Sequence, residues 1–145
     1  MAGDQSLKYP IAVCATCAYP DSKQVVKWIS GITEANLFIS VLTNGELHKG
    51  IEKLPESKKK EKLHKWVNCD LKERFKDRII SFDLQTATTW GKIQARSESA
   101  GKTMPAIDGM IAATGIVNNL IIATRNTSDM EISGASLLDP WLPVH

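Results

Sequence analysis

The stretch Leu37-Phe38-Ile39-Ser40-Val41-Leu42-Thr43-Asn44-Gly45-Glu46-Leu47 decides the fold. Leu37 to Leu42 is a compact apolar run, which suits a strand buried on both faces. Thr43-x-x-Glu46 then has the spacing of a capping box, in which a hydroxyl and a carboxylate satisfy orphan N–H groups where a helix starts. The pattern predicts a strand over 37–42 that feeds a helix running to about Leu54. A strand passing directly into a helix is the repeating unit of an α/β sheet, whose parallel strands need helical crossovers.

The same alternation extends to both sides. Residues 1–10 read as a polar tail, and Ile11 to Ala15 as a small apolar strand. Pro20-Asp21-Ser22 gives a turn and an N-cap signal for a short helix, with Val25, Val26, Trp28 and Ile29 pointing inward and Gly31 as its stop. After Pro55, Glu56 to about Phe75 reads as one long helix. Leu63, Trp66, Val67 and Leu71 mark its apolar face, with Lys58, Lys59, Lys60, Lys62 and Lys65 largely elsewhere. Ile79 to Phe82 is a short strand. Asp83 caps a helix from Leu84 to about Ala100, whose buried stripe is Ala87, Trp90 and Ile93, and Gly101 stops it. Pro105 suits a first helical turn, where a missing N–H costs nothing. The helix it opens, Ala106 to Asn118, is apolar nearly all round and belongs inside. Leu120 to Ala123 is a further central strand, and a last strand falls near Ala135 to Leu138. The expectation is an α/β fold with a central, mostly parallel sheet and a single domain over 11–145.

Bulk properties narrow the class. A chain of 145 residues can bury one sizeable core. With 43% hydrophobic and 23% charged residues, composition excludes disordered and collagen-like classes. No apolar run reaches the ~18 residues of a membrane span. The nearest, Ala106 to Ala123, is broken by Asp108, Asn118 and Asn119, so no membrane partner is expected and the cytoplasm is the default compartment. Three cysteines are too few for a disulfide scaffold. Cys14 and Cys17 have CxxC spacing but read as small strand residues, because a redox motif would want a helix start right after the strand. Eleven of the eighteen Lys and Arg fall between Lys49 and Arg78 with six acids, a local excess of five. That stretch is either a solvated helix face or a face that steers an anionic partner.

Acids placed beyond strand ends carry the chemistry. Open parallel sheets set their sites outside the carboxyl ends of the strands. Glu46 and Asp108 sit at predicted helix starts, and Asp129 follows Leu120–Ala123 and the turn Thr124-Arg125-Asn126. Mg²⁺ and Mn²⁺ prefer oxygen ligands, a few carboxylates together with water and substrate phosphate. Glu46, Asp108 and Asp129 fit such a set, Asn126 is a neutral oxygen donor nearby, and Thr43 and Thr124 suit supporting hydrogen bonds. Each acid also has a purely structural reading: Glu46 completing its capping box, Asp108 favouring its helix dipole, Asp129 as a loop acid. His48, His64 and His145 show no zinc-like pairing, and no nucleophile elbow or glycine-rich phosphate loop occurs.

At these residues the chain resembles PIN-domain ribonucleases of the VapC and FitB toxin type. The resemblance runs from about Lys23 to Trp141. It rests on Val25-Val26-Lys27-Trp28, the run from Ser40 through Glu46 to Pro55, Ile107-Asp108-Gly109-Met110-Ile111-Ala112-Ala113-Thr114, Thr124-Arg125-Asn126-Thr127-Ser128-Asp129, and Leu137-Leu138-Asp139-Pro140-Trp141. It implies a three-layer α/β/α PIN-like domain, Mg²⁺- or Mn²⁺-dependent cleavage of RNA by an activated water, a homodimer and a cognate antitoxin. By position Glu46 matches the family's glutamate and Asp108 its central aspartate, while Asn126 and Asp129 both lie in its last acidic motif and either of the two would face the metal. The ligand set expected is Glu46, Asp108 and Asp129, with Asn126 assisting. Lys49, Lys53 and Arg125 are candidates for phosphate contacts.

One departure bears on activity. The family's first strand ends in an Asp, typically within Leu-Asp-Thr-Asn. Measured back from Trp28, that acid falls near Tyr9 to Ala12, where this chain has none. A degenerate copy, an altered N-terminal segment, or Asp4 reaching in from a shifted strand would each account for it, and Asp21 is poorly placed. The loss implies weakened metal binding and impaired cleavage, or an inactive module that binds an antitoxin or RNA. Pro10, without an N–H, also sits awkwardly beside a central first strand.

Overall fold

The computed structural model describes residues 10–20 and 22–142, the side chain of Thr16 excepted. Most of the predicted polar tail, with Asp4, Asp21 and His145, lies outside the described residues. Among the described residues, five strands form one sheet: β1 (Ile11–Val13), β2 (Leu37–Ser40), β3 (Ile79–Ile80), β4 (Ile121–Ala123) and β5 (Leu137–Leu138), in the order β3-β2-β1-β4-β5. Every pairing is parallel, as in Ile11 opposite Leu37 and Ile121. The α/β reading with a parallel sheet therefore holds. β1 is the middle strand despite Pro10. The proline stands just before it and uses its carbonyl, which accepts from the Ile121 N–H at 3.1 Å, so its missing donor is not required there.

Side-chain alternation along the short strands divides the interior in two. Ile11, Val13, Leu37, Ile39 and Ala123 face one core, closed by Val25 and Trp28 of α2 (Lys23–Ser30) and by Val67, Leu71 and Phe75. Ala12 and Ile122 face the other, closed by Ile93 of α6 (Leu84–Ser99), Ile111 to Ala113 of α7 (Ala106–Asn118) and Met130. Helices thus cover both faces of the sheet. Between β1 and α2 lies the single turn α1 (Ala15–Ala18).

Several boundaries move. β2 stops at Ser40, and α3 (Val41–Glu52) begins there instead of at Thr43. The Ser40 hydroxyl accepts from the Leu42 and Thr43 N–H groups at 3.0 and 3.1 Å, so Ser40 is the cap. Glu46 consequently sits within the helix and belongs to no capping box. The long helix after Pro55 is α4 (Lys58–Lys65), a π-turn over Trp66–Asp70, and α5 (Leu71–Arg74). Lys60 is buried, contrary to its predicted exposure, and is satisfied by Glu56 at 2.8 Å and the Glu52 carbonyl at 3.3 Å. Val26, expected inward, is exposed. Asp83 caps α6 as expected, accepting from the Thr86 N–H at 2.9 Å.

Part of the basic stretch is structural. Arg74 and Arg78 both hold Glu34 at 3.1 Å, and Arg78 also donates to the Leu37 carbonyl at 2.6 Å. This fork ties the start of β2 to the turn leading into β3. It also draws the Glu34 carboxyl below its ordinary range, against the opposing effect of its burial.

Candidate functional site

The order in which strands are added switches sides between β1 and β4. β2 and β3 build outward on one side of β1, and β4 and β5 on the other. A crevice beyond the carboxyl ends of the strands is expected at such a switch point. A cavity of about 240 Å³ lies there, walled by Cys14, Glu46, Asp108, Thr124, Arg125 and Asn126, with Ile111, Ile122 and Met130 among its apolar walls.

Each polar wall residue is positioned by local chemistry. Cys14 follows β1 directly and precedes α1. Glu46 rides on α3, anchored by Ser40. Asp108 lies in the first turn of α7, whose approach is fixed from α6. The Ser97 hydroxyl donates to the Lys102 carbonyl and accepts from the Met104 N–H at 2.9 Å, while the Gln94 amide donates to the Met104 carbonyl at 2.8 Å. α6 and α7 meet closely because residue 109 is glycine: a Cβ there would fall 2.6 Å from Gln94 Oε1 and 3.1 Å from Trp90 Nε1. After β4, the buried Thr124 hydroxyl accepts from the Asn126 N–H at 3.1 Å and fixes the turn. The Arg125 guanidinium lies over the Trp141 ring at 4.7 Å, which gives the Leu137–Trp141 motif a supporting role.

Of the four sequence-predicted site residues, Glu46, Asp108 and Asn126 share the cavity. Asp129, in α8 (Thr127–Met130), instead lines a different depression with Lys102, Ser128 and Glu131. It still acts on the site electrostatically. The Asp108 carboxyl is pushed above its ordinary range by burial and by the Asp129 charge. Glu46 is pushed up by desolvation and by the Asp108 charge, with Lys49 pulling the other way. Two like-charged carboxyls thus face a partly dry cavity, each holding its proton more tightly than usual.

Among the described residues, no three Cys, His, Asp or Glu side chains are drawn together as a ready metal cage. The donor set nevertheless fits a hard divalent cation, which takes few protein oxygens and keeps water, and whose charge would relieve the repulsion between Glu46 and Asp108.

Cys14 was missed in the sequence. With β1 ending at Val13, the residue at its carboxyl end is Cys14, just beyond the 9–12 window measured from Trp28. Counting along the apolar strand, not back from the helix, would have found it. The CxxC pair also differs from its sequence reading: the strand does run straight into a helical turn, and the two sulfurs lie 3.2 Å apart. The contact with Cys14 and burial push the Cys17 thiol far above its ordinary range.

The PIN-domain pattern matches residues 16–131, and the chain belongs to the PIN-domain family. It is 29% identical to VapC ribonuclease Y4jK of Sinorhizobium fredii over 87% of this chain and 89% of that protein. It is 31% identical to toxin FitB of Neisseria gonorrhoeae over 83% of this chain and 86% of that protein. The solved structure of FitAcB from Neisseria gonorrhoeae superposes with a TM-score of 0.85 at 29% identity, covering 90% of this chain and 98% of that one. No described helix is long and apolar enough to cross a membrane.

Proposed function

We propose that the chain is the toxin of a toxin–antitoxin pair and a metal-dependent endoribonuclease that hydrolyses RNA phosphodiester bonds in the cytoplasm. The observation that carries this reading is the pairing of Glu46 and Asp108 in one cavity at the switch point, each with raised proton affinity. Glu46 and Asp108 would hold Mg²⁺ or Mn²⁺, with Asp129 completing the negative field and Asn126 offering its amide oxygen. When bound, the cation supplies charge neutralisation at phosphate and makes water more acidic. Arg125, held against Trp141, reaches phosphate from the rim, and Lys49 flanks Glu46. Such contacts contribute affinity without reading sequence. The test is cleavage of RNA by the purified protein with Mn²⁺. Chelation and Asp108→Asn should each abolish it, by roughly 10²-fold or more. Mn²⁺-independent cleavage by Asp108→Asn would overturn the assignment.

The antitoxin reading has its own support. An apolar groove of about 370 Å³ runs along Tyr19, Leu47, Ile51, Leu54, Leu63 and Trp66, and shares Ala15 and Glu46 with the acidic cavity. An amphipathic antitoxin segment in this groove would lie against the mouth of the site. A homodimer completes the proposed assembly, to be read by sedimentation.

Cys14 favours a second reading, a catalytically inactive module that binds an antitoxin or RNA. A thiol is a poor ligand for a hard cation where the family places a carboxylate. Cys14→Asp distinguishes the two states: Mn²⁺ affinity should rise by about tenfold through the added ligand charge, and an RNA cleavage signal that appears only in this variant supports the inactive module.

A further inference from the structure

We propose that Cys14 and Cys17 form a thiol–disulfide exchange pair at the wall of the acidic cavity, with a low-molecular-weight disulfide of the glutathione type as its oxidising reactant. The proposal stands apart from the nuclease reading and does not depend on it. Its basis is the placement of the two sulfurs. They lie 3.2 Å apart across the single helical turn that follows β1. Each would move by roughly half an ångström to reach the ~2.05 Å of a disulfide bond. Their environments differ in the way an exchange pair requires. Cys14 is half-buried and lines the cavity, so a small disulfide can approach it. Cys17 is fully buried, with its sulfur 4.0 Å from the Ala123 carbonyl oxygen and 3.2 Å from the sulfur of Cys14.

This asymmetry orders the chemistry. Cys14 gives up its proton and its sulfur attacks one sulfur of the reactant RSSR. The RS–SR bond breaks, a Cys14–SR mixed disulfide forms, and the departing RS⁻ takes up a proton as RSH. Cys17 then loses its proton and attacks the Cys14 sulfur. The Cys14–SR bond breaks, the Cys14–Cys17 bond forms, and a second RSH leaves. Two protein thiols are oxidised, one RSSR is reduced to two RSH, and no other oxidant is needed. The second step is intramolecular between groups already in contact, so the mixed disulfide is short-lived. Oxidation would draw the Cys14 sulfur from the cavity wall towards Cys17 and make the shape of the cavity depend on thiol redox state.

The test uses the full chain carrying Cys69→Ser, which removes the exposed third thiol. It is incubated with oxidised glutathione and followed by intact mass and peptide mapping, in native buffer and in denaturant. The expected native product has lost two hydrogen atoms, carries a Cys14–Cys17 link, retains no glutathione and reverts with dithiothreitol. The link should form at least about tenfold faster in native buffer than in denaturant, because the fold holds the sulfurs together. Adding Cys17→Ser, or Cys17→Ala should the serine variant fold poorly, should leave glutathione on Cys14. The proposal fails if glutathione persists on Cys14 with Cys17 present. It also fails if both thiols survive conditions that modify Cys69 in the wild-type chain, or if linking is no faster in the native protein.

Discussion

A carboxylate that holds its proton tightly loses a bound cation sooner as pH falls, because protons and metal compete for the same oxygens. Glu46 and Asp108 are both acids of this kind. Between the ordinary carboxylate range and their raised values, the folded chain binds more protons than the unfolded one. Their contribution to stability is therefore most favourable below the ordinary range and declines as pH rises through that window. Part of the rise at Asp108 comes from Asp129. Asp129→Asn should accordingly move the Asp108 titration to lower pH in the metal-free protein, read by carboxyl NMR. An unmoved titration would leave burial as the whole cause. Glu46 and Asp108, which the cavity brings together, were both singled out in the sequence, Glu46 in the run that leaves β2 and Asp108 at the helix start after Pro105. Cys14 was not, since a thiol carries no charge pattern, and only the end point of β1 reveals that it faces the same cavity.

The junction of β2 with α3 shows how a single hydroxyl sets an element boundary. Val41 and Leu42 are apolar and continue the strand-like run, so pattern alone carried the strand through them. Ser40 Oγ takes two helix N–H groups and ends the strand earlier. Ser40→Ala should cost about 0.5–2 kcal/mol, measured by thermal or urea unfolding, and should weaken Mn²⁺ binding through Glu46, which rides on that helix. A variant of unchanged stability would show that packing alone fixes the junction. The helix after Asp83 was readable because its signals agree, cap, stripe and stop, and the helix after Pro105 because a proline opens a run apolar nearly all round. The long helix after Pro55 was readable as an element, but its π-turn carries no sequence signal, and the burial of Lys60 depends on Glu56 and a carbonyl one turn before.

At the scale of the molecule, the acidic cavity and the apolar groove are two compartments of one surface, joined at Ala15 and Glu46. Leu63 belongs to the groove and not to the cavity. Leu63→Asp should therefore weaken binding of an apolar antitoxin segment by tenfold or more, about 1.4 kcal/mol, in calorimetry, while leaving Mn²⁺ binding intact. Equal affinity would place the partner elsewhere. The sheet's class could be read from alternating strands and helices. Its strand order could not, because nothing local in Ile11-Ala12-Val13 says that a segment so short, with a proline before it, becomes the central strand.

That central position has a kinetic meaning. β1 pairs with β4, whose residues are made more than a hundred positions later. Closing so long a loop must precede the contacts that reward it, which makes this pairing a late event in folding. The cavity draws walls from both ends of that loop, so a growing chain that stops short of Leu120 has Glu46 and Asp108 but no pocket to hold them. Whatever chemistry the site performs begins only when synthesis has passed β4 and the first strand has found that partner.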